Sequence, residues 1–172
     1  VPPDSMPKEA ITVEAWVSLD TIADGRAIVN EPTTFYLVLV PASFYGREGK
    51  IVILFKVKTS EGDKDLITEN AIDETGRWYH IAATFGPEGS VKKSRIYLNG
   101  REIATSTDID FRANIDRSFR ALLIGSGDLT ICCDFFDGKI DEVRIYSINL
   151  TTAEIQQHYA EGAKKRGIAV ND

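Results

Sequence analysis

The sequence predicts an all-β fold, a two-sheet antiparallel β-sandwich with one short C-terminal helix. Three observations carry that expectation. Roughly ten stretches alternate apolar with polar residues or run continuously apolar, and turn residues punctuate them. No helical pattern stands between successive strands, so the βαβ alternation of a parallel sheet is missing. A single helical pattern closes the chain: Thr151 and Glu154 form a capping box, and Ile155 and Tyr159 fall on one stripe.

The 172 residues suffice for one domain that buries about two-thirds of its unfolded surface. Hydrophobic content of 43% with 27% charged residues is that of an ordinary globular domain. The 20 basic and 26 acidic residues give a net charge of −6, which argues against a nucleic-acid partner. Lys164, Lys165 and Arg166 follow the helical pattern and read as a solvated tail. No apolar run approaches a membrane span, so no membrane insertion is expected. The chain begins at Val1 and carries no secretory apolar segment. It is read as a fragment of a larger, exported protein, with the domain core at 11–162. Cys132 and Cys133 are adjacent, and a bond between them needs a distorted turn, so two reduced thiols are expected.

Taken in order, residues 1–10 form an irregular lead-in, because Pro2, Pro3 and Pro7 exclude regular pairing. Ile11–Leu19 is the first strand. Its Ile11, Val13, Ala15, Val17 and Leu19 alternate with Thr12, Glu14, Trp16 and Ser18, the pattern of a half-buried sheet. Residues 20–26 (DTIADGR) are a turn and 27–30 a short strand. Residues 34–40 (TFYLVLV) are apolar on both faces and β-branched or aromatic, hence a buried strand. A loop at 41–50 carries Tyr45 and Arg47, and strand 51–58 then nears solvent at Lys56 and Lys58.

A polar connection at 60–65 leads to a weak strand at 66–70, a strong strand at 77–85 (RWYHIAATF) and a loop at 86–94. Asn99-Gly100 accepts the positive φ angles of a type I′ turn and joins strands 95–98 and 101–106 into a hairpin. Residues 107–120 show no sustained period and wander over one face; 121–125 (ALLIG) is a buried strand and 129–133 another. The last strand lies in 135–150, FFDGKIDEVRIYSINL. Period two there puts Asp141, Val143 and Ile145 on one face, with Ile140, Glu142, Arg144 and Tyr146 on the other. Gly162 is placed to end the helix.

Three segments in this order and spacing resemble the laminin-G-like jelly rolls of the concanavalin A-like lectin/glucanase superfamily, relatives of pentraxins, legume lectins and β-glucanases. They are ITVEAWVSL, WYHIAATF followed by RIYLNGREIATS, and FFDGKIDEVRIYSINLTTAEI, and together they cover residues 11–162. The resemblance implies two curved antiparallel sheets, with the first and last segments adjacent in one of them. Glu14 then faces Arg144 across strands, an ion pair that fixes register and contributes about 0.2–1 kcal/mol. Family domains also carry a strand before ITVEAW, for which only Val1-Pro2 is available here, so the resemblance implies either a fragment that begins after that strand or another segment in its place.

For function, the resemblance implies a non-catalytic, lectin-like carbohydrate-binding module, extracellular or at the cell surface. A protein-interaction or adhesion module without sugar affinity is the alternative, and a divergent glycosidase or lyase a third. The glucanase relatives pair carboxylates in a Glu-x-Asp-x-x-Glu-like run, and nothing here matches it. Asp141 and Glu142 are adjacent and point to opposite faces, so they cannot share a substrate. His80 reads as a satisfied core or boundary histidine, and His158 belongs to the helix. No enzyme is expected. Relatives hold a structural calcium through the last-strand Asp and turn carbonyls, which maps onto Asp141 and the ADGR turn around Gly25. Trp16 and Trp78 sit in regular strands and read as core. Ligand contacts are therefore expected from loops, at Tyr45, Arg47, Asp128 and Asp134, toward a glycan or an extracellular protein. Asn149-Leu150-Thr151 is formally a glycosylation sequon, but Thr151 is explained as a helix cap and no glycan is expected.

Overall fold

The computed structural model describes residues 8–22, 25–46, 51–69, 71–110, 112–116, 121–127 and 135–170. In chain order the strands are β1 (Ile11–Leu19), β2 (Arg26–Glu31), β3 (Phe35–Pro41), β4 (Ile51–Thr59) and β5 (Gly62–Ile67). They continue as β6 (Trp78–Glu88), β7 (Val91–Leu98), β8 (Arg101–Thr105), β9 (Leu123–Ile124) and β10 (Gly138–Tyr146), before helix α1 (Thr152–Lys165). Two antiparallel five-stranded sheets pack face to face, one ordered β10-β1-β6-β7-β8 and the other β5-β4-β3-β2-β9. This is the sandwich that the alternation predicted and the jelly roll that the resemblance implied, with the first and last long strands paired, Glu14 opposite Arg144. No helix among the described residues is long and apolar enough to cross a membrane.

The core lies where the two inner faces interdigitate. Val13, Ala15 and Val17 of β1 meet Leu37 and Leu39 of β3, Ile53 and Phe55 of β4, and Ile81 and Phe85 of β6, all fully buried. Each such Leu, Ile or Phe contributes about 1.5–3 kcal/mol through burial, which is why these strands hold their register. The outer face of β1 is not half-exposed as expected. Thr12, Glu14, Trp16 and Ser18 are buried as well, because α1 lies over that face and stacks Tyr159 on Trp16. Period two on a strand reports that its faces differ in chemistry, and a covering helix can still bury the polar one.

Several boundaries differ from the sequence reading for identifiable reasons. The expected loop at 86–94 is strand almost throughout, with β6 running to Glu88 and a two-residue turn before β7. The pairing of β1 with β6 stops at Phe85, so Pro87 occupies an edge position that needs no N–H on that side. Gly86 is demanded by contact, since an added Cβ would lie 2.7 Å from Asn149 Cβ and 2.8 Å from Ala10 Cβ. The weak strand falls at Gly62–Ile67 rather than 66–70, pulled forward by the Thr59–Gly62 turn, where Thr59 Oγ1 donates to Gly62 O at 2.7 Å. β9 is two residues long at the sheet edge, with Ile124 half exposed, not a buried strand. The expected strand at 129–133, with Cys132 and Cys133, lies outside the described residues.

Gly162 does not end the helix. It lies inside α1 because its surface rests on the Trp16 indole, and a Cβ there would come within 2.3 Å of Trp16 Nε1. The terminus is a Schellman motif one turn later: Gly167 has φ 66°, Ile168 N–H donates to Ala163 O at 2.9 Å, and Gly167 N–H donates to Lys164 O at 3.2 Å. The start is as read, with the reciprocal Thr151–Glu154 box formed.

The last strand carries the largest departure. Pairing with β1 slips between Glu14 and Trp16, since Glu14 faces Arg144 while Trp16 faces Asp141. One extra residue is accommodated at Glu142, which takes φ 48°, a β-bulge. The alternation therefore breaks. Ile140 and Val143 both pack on the sandwich core, Ile145 is 36% exposed, and Asp141 and Glu142 turn together toward α1.

Candidate functional site

The predicted loop residues divide. Tyr45 ends a short 3-10 turn, Ala42–Tyr45, and is exposed beside the more exposed Phe44. Arg47, Asp128 and Asp134 lie outside the described residues. Gly25 is buried in the turn before β2, while Ala23 and Asp24 of that turn are outside the description.

Asp141 does not have the surroundings of a calcium ligand. Arg166 Nη2 donates to its Oδ2, and the Glu142 N–H donates to its Oδ1 at 2.8 Å. The neighbouring Glu142 carboxylate accepts from Arg144 Nη2 at 2.7 Å, Lys165 Nζ at 3.3 Å and Arg166 Nη1 at 3.3 Å. Burial acts to raise the Glu142 carboxyl, and hydrogen bonds from Lys165 and Arg166 outweigh it and hold it low. Two carboxylates engaged by three cations do not fit a divalent ion that needs six to eight oxygens. At the turn itself, Thr21 Oγ1 donates to Asp137 Oδ2 at 2.9 Å, so Asp137 rather than Asp141 faces that turn. Among the described residues no group of three or more His, Cys, Asp and Glu is gathered as for a metal.

The expected cross-strand pair is the centre of a larger buried network. Arg144 Nη1 donates to Glu14 Oε1 at 3.0 Å, Tyr146 Oη donates to the same oxygen at 3.4 Å, and His158 Nδ1 from α1 lies 3.1 Å from Oε2. His80 Nε2 lies 3.6 Å from Oε2. Burial alone raises the Glu14 carboxyl, but His80, His158 and Arg144 outweigh it, and the group sits at about 2. Strand β1, strand β10 and the helix are thus joined at one carboxylate. This network anchors α1 rather than presenting a reactive group, because Glu14 is buried and fully engaged.

Above that anchor the helix leaves a cleft of about 940 Å³ against the start of β6 and the β7–β8 hairpin. Arg77, Trp78, Asn99, Arg101, Gln156 and Tyr159 supply its chemistry. Its walls are fixed. Asn99 Oδ1 accepts from the His80 N–H at 2.9 Å and Asn99 N–H donates to His80 O at 2.8 Å, which ties the hairpin to β6. The hairpin has the predicted positive φ angles, 50° at Asn99 and 75° at Gly100, and Gly100 sits against the Tyr159 ring, where a Cβ would meet it at 3.0 Å. The Arg166 guanidinium lies over both indoles, 4.4 Å from the Trp16 ring and 5.0 Å from the Trp78 ring, so Trp78 is braced by a cation–π contact. Trp16 is core-like, as read, but Trp78 is only partly buried and lines the cleft. Sequence reasoning missed this site because it assigned both tryptophans to packing. The legible signals were Arg101 directly after the Asn99-Gly100 turn and the stripe of Gln156, Tyr159 and Ala160 on the helix.

Among solved structures the chain is similar to a candidate carbohydrate-binding protein from Bacteroides ovatus, at 24% identity and TM-score 0.70, covering 89% of this chain and 41% of that one. It is similar to a heptameric SAP-like pentraxin from Limulus polyphemus, at 17% identity and TM-score 0.63, covering 88% and 71%. A third is the CBM40 domain of the Ruminococcus gnavus IT-sialidase bound to α2,3-sialyllactose, at 16% identity and TM-score 0.64, covering 89% and 84%. At such identities the likeness is one of fold. The chain spans less than half the length of the Bacteroides protein. No curated protein matches it. The model of the concanavalin A-like lectin/glucanases superfamily matches residues 1–156, the stretch that holds all ten of the described strands, the bulged last one included, and the chain belongs to that superfamily.

Proposed function

We propose that the chain is a non-catalytic carbohydrate-binding module, exported or displayed at a cell surface, which receives its glycan in the cleft between α1 and the β7–β8 hairpin. The observation that carries this reading is the cleft's lining: a braced, partly exposed Trp78 and Tyr159 beside the planar polar groups of Asn99, Gln156 and two arginines. Sugar rings present apolar C–H faces that stack on aromatic rings, and hydroxyl rims that pair with amides and guanidiniums. Support also comes from the Bacteroides ovatus and Ruminococcus gnavus relatives, one a candidate carbohydrate binder and the other solved with sialyllactose. Glycoside hydrolysis needs two carboxyl groups flanking the bond, and no Asp or Glu lines the cleft among the described residues. Calcium has no part in this reading.

A second reading, protein interaction or adhesion, is favoured by the adjacent exposed aromatics Phe44 and Tyr45, with Arg47, Asp128 and Asp134 as further candidates. A glycan array probed with the purified domain separates the two. Hits that vanish in Trp78→Ala and persist in Tyr45→Ala support the cleft. Hits lost only in Tyr45→Ala move the site to the loop, and an array with no hits overturns carbohydrate binding.

A further inference from the structure

The lining of the helix-side cleft is unlike the chain as a whole. The protein carries a net charge of −6, yet the described lining of the cleft contains two guanidiniums and no carboxylate. The two arginines are not equivalent. Arg77 Nη1 donates to Glu74 Oε2 at 2.7 Å outside the cleft, so its charge is already offset. Arg101 is exposed, and among the described residues it has no ion-pair partner; the acidic residue beside it, Glu102, pairs instead with Arg95 at 3.1 Å. Nor is the guanidinium needed to hold the hairpin, which is fixed through Asn99 and Gly100.

A guanidinium with no ion-pair partner among the described residues, on a rigid hairpin in the same cleft as the Trp78 indole, offers a planar fork for an oxyanion beside a stacking surface. We infer that the cleft takes an acidic glycan, one whose sugar ring lies on Trp78 while its carboxylate is held by Arg101. This rests on the carbohydrate-binding reading and narrows it. The shared chemistry is a ring-borne carboxylate, which a uronic acid or a sialic-type sugar can supply. A neutral sugar could stack equally well on Trp78 but would leave Arg101 without a counter-charge. Arg77 supplies a second donor at the rim and a weaker attraction, because it keeps its Glu74 partner.

The test is calorimetric titration of the intact domain with an oligogalacturonate, with sialyllactose, and with lactose as the neutral control. Binding of either acidic probe at least about tenfold tighter than lactose is expected, equivalent to about 1.4 kcal/mol. Arg101→Gln is expected to reduce that probe to the affinity of lactose while the thermal midpoint of the domain stays unchanged. Which of the two acidic probes binds identifies the source of the carboxylate. Equal affinity for acidic and neutral probes overturns the inference and leaves the module reading standing. No binding of any of the three overturns the inference, and the glycan array then decides the module reading. An acidic preference that survives the double substitution Arg77→Gln with Arg101→Gln also overturns the inference, since it puts the charge recognition elsewhere on the surface.

Discussion

At the scale of single residues, Glu14 and Gly162 decide how the helix is held. Glu14 is buried with its carboxyl at about 2, against an ordinary value of 4.5. A carboxyl lowered on folding stabilises the protein above its unfolded value and loses that contribution as pH falls through its folded one. The window is therefore pH 4.5 down to about 2. Glu14→Gln is expected to cost roughly 3 kcal/mol at neutral pH, because Arg144 and two histidines lose the carboxylate charge and one of its two acceptor oxygens becomes a donor. It should also flatten the stability profile across that window, measured by urea unfolding at stepped pH. An unaltered slope below pH 4.5 would show that the carboxylate is not what ties the helix down. Gly162→Ala sets two effects against each other. Helix propensity favours alanine by about 1 kcal/mol, whereas an overpacked contact costs about 1–3 kcal/mol or more. With Trp16 clamped between Tyr159 and Arg166, a Cβ 2.3 Å from its nitrogen cannot be relieved by a flexible side chain. Contact wins, and a fall in thermal midpoint with a shift in tryptophan emission is expected.

At the scale of elements, legibility followed how local the cause was. The Asn99-Gly100 hairpin and the Thr151–Glu154 cap depend on residues within a few positions, and both were readable. The bulge at Glu142 was not. A glutamate at φ 48° has no local signature, and it is stabilised by Lys165 and Arg166 from 23 and 24 residues downstream. Gly162 misled for a similar reason, since its cause is a ring on β1. Residues 107–120 were read as wandering, and their described part crosses β7 and β4 by single bridges, Lys92 with Ile109 and Thr59 with Ile115. Backbone bonds such as Ile115 N–H to Lys8 O at 2.8 Å and Asp116 N–H to Lys58 O at 2.9 Å tie that segment down, and so does Lys92, a fully buried lysine in β7 whose ammonium donates to Ala113 O at 3.1 Å and Asn114 Oδ1 at 3.0 Å. Burial lowers its affinity for a proton, and the Glu9 carboxylate acts in the opposite direction without cancelling it. Lys92→Met keeps most of the volume and removes the donors. The expected result is faster amide exchange at 109–116 with a global loss of about 1–3 kcal/mol. Exchange unchanged in that segment would mean that the backbone bonds alone hold it.

At the scale of the whole molecule, the sandwich was legible because its alternation reflects the two inner faces, and the candidate cleft was not, because it is made by the helix lying on an outer face. Loops were the reasonable place to look for a ligand, yet the helix covers Trp16, Ala82 and Tyr97 and builds a cleft at its own edge. The same arrangement gives Asp141 a second role to test, as the ion-pair partner of Arg166 in place of a calcium ligand. That carboxylate and Glu142 neutralise Arg166 at the C-terminus of α1, so the last strand binds the helix where relatives of the fold were expected to bind a metal. The two alternatives differ in a measurable way. A structural calcium ligated by Asp141 raises the thermal midpoint of the wild-type domain, and Asp141→Asn abolishes that rise. An ion pair with Arg166 makes Asp141→Asn destabilising to the same extent in calcium and in chelator, by about 1 kcal/mol for a partly exposed pair. The second pattern is expected in paired thermal scans. Because Arg166 also lies over the Trp78 ring, the substitution should weaken glycan binding as it loosens the helix end, to the same extent in calcium and in chelator; a loss of binding seen only in calcium would favour the metal instead.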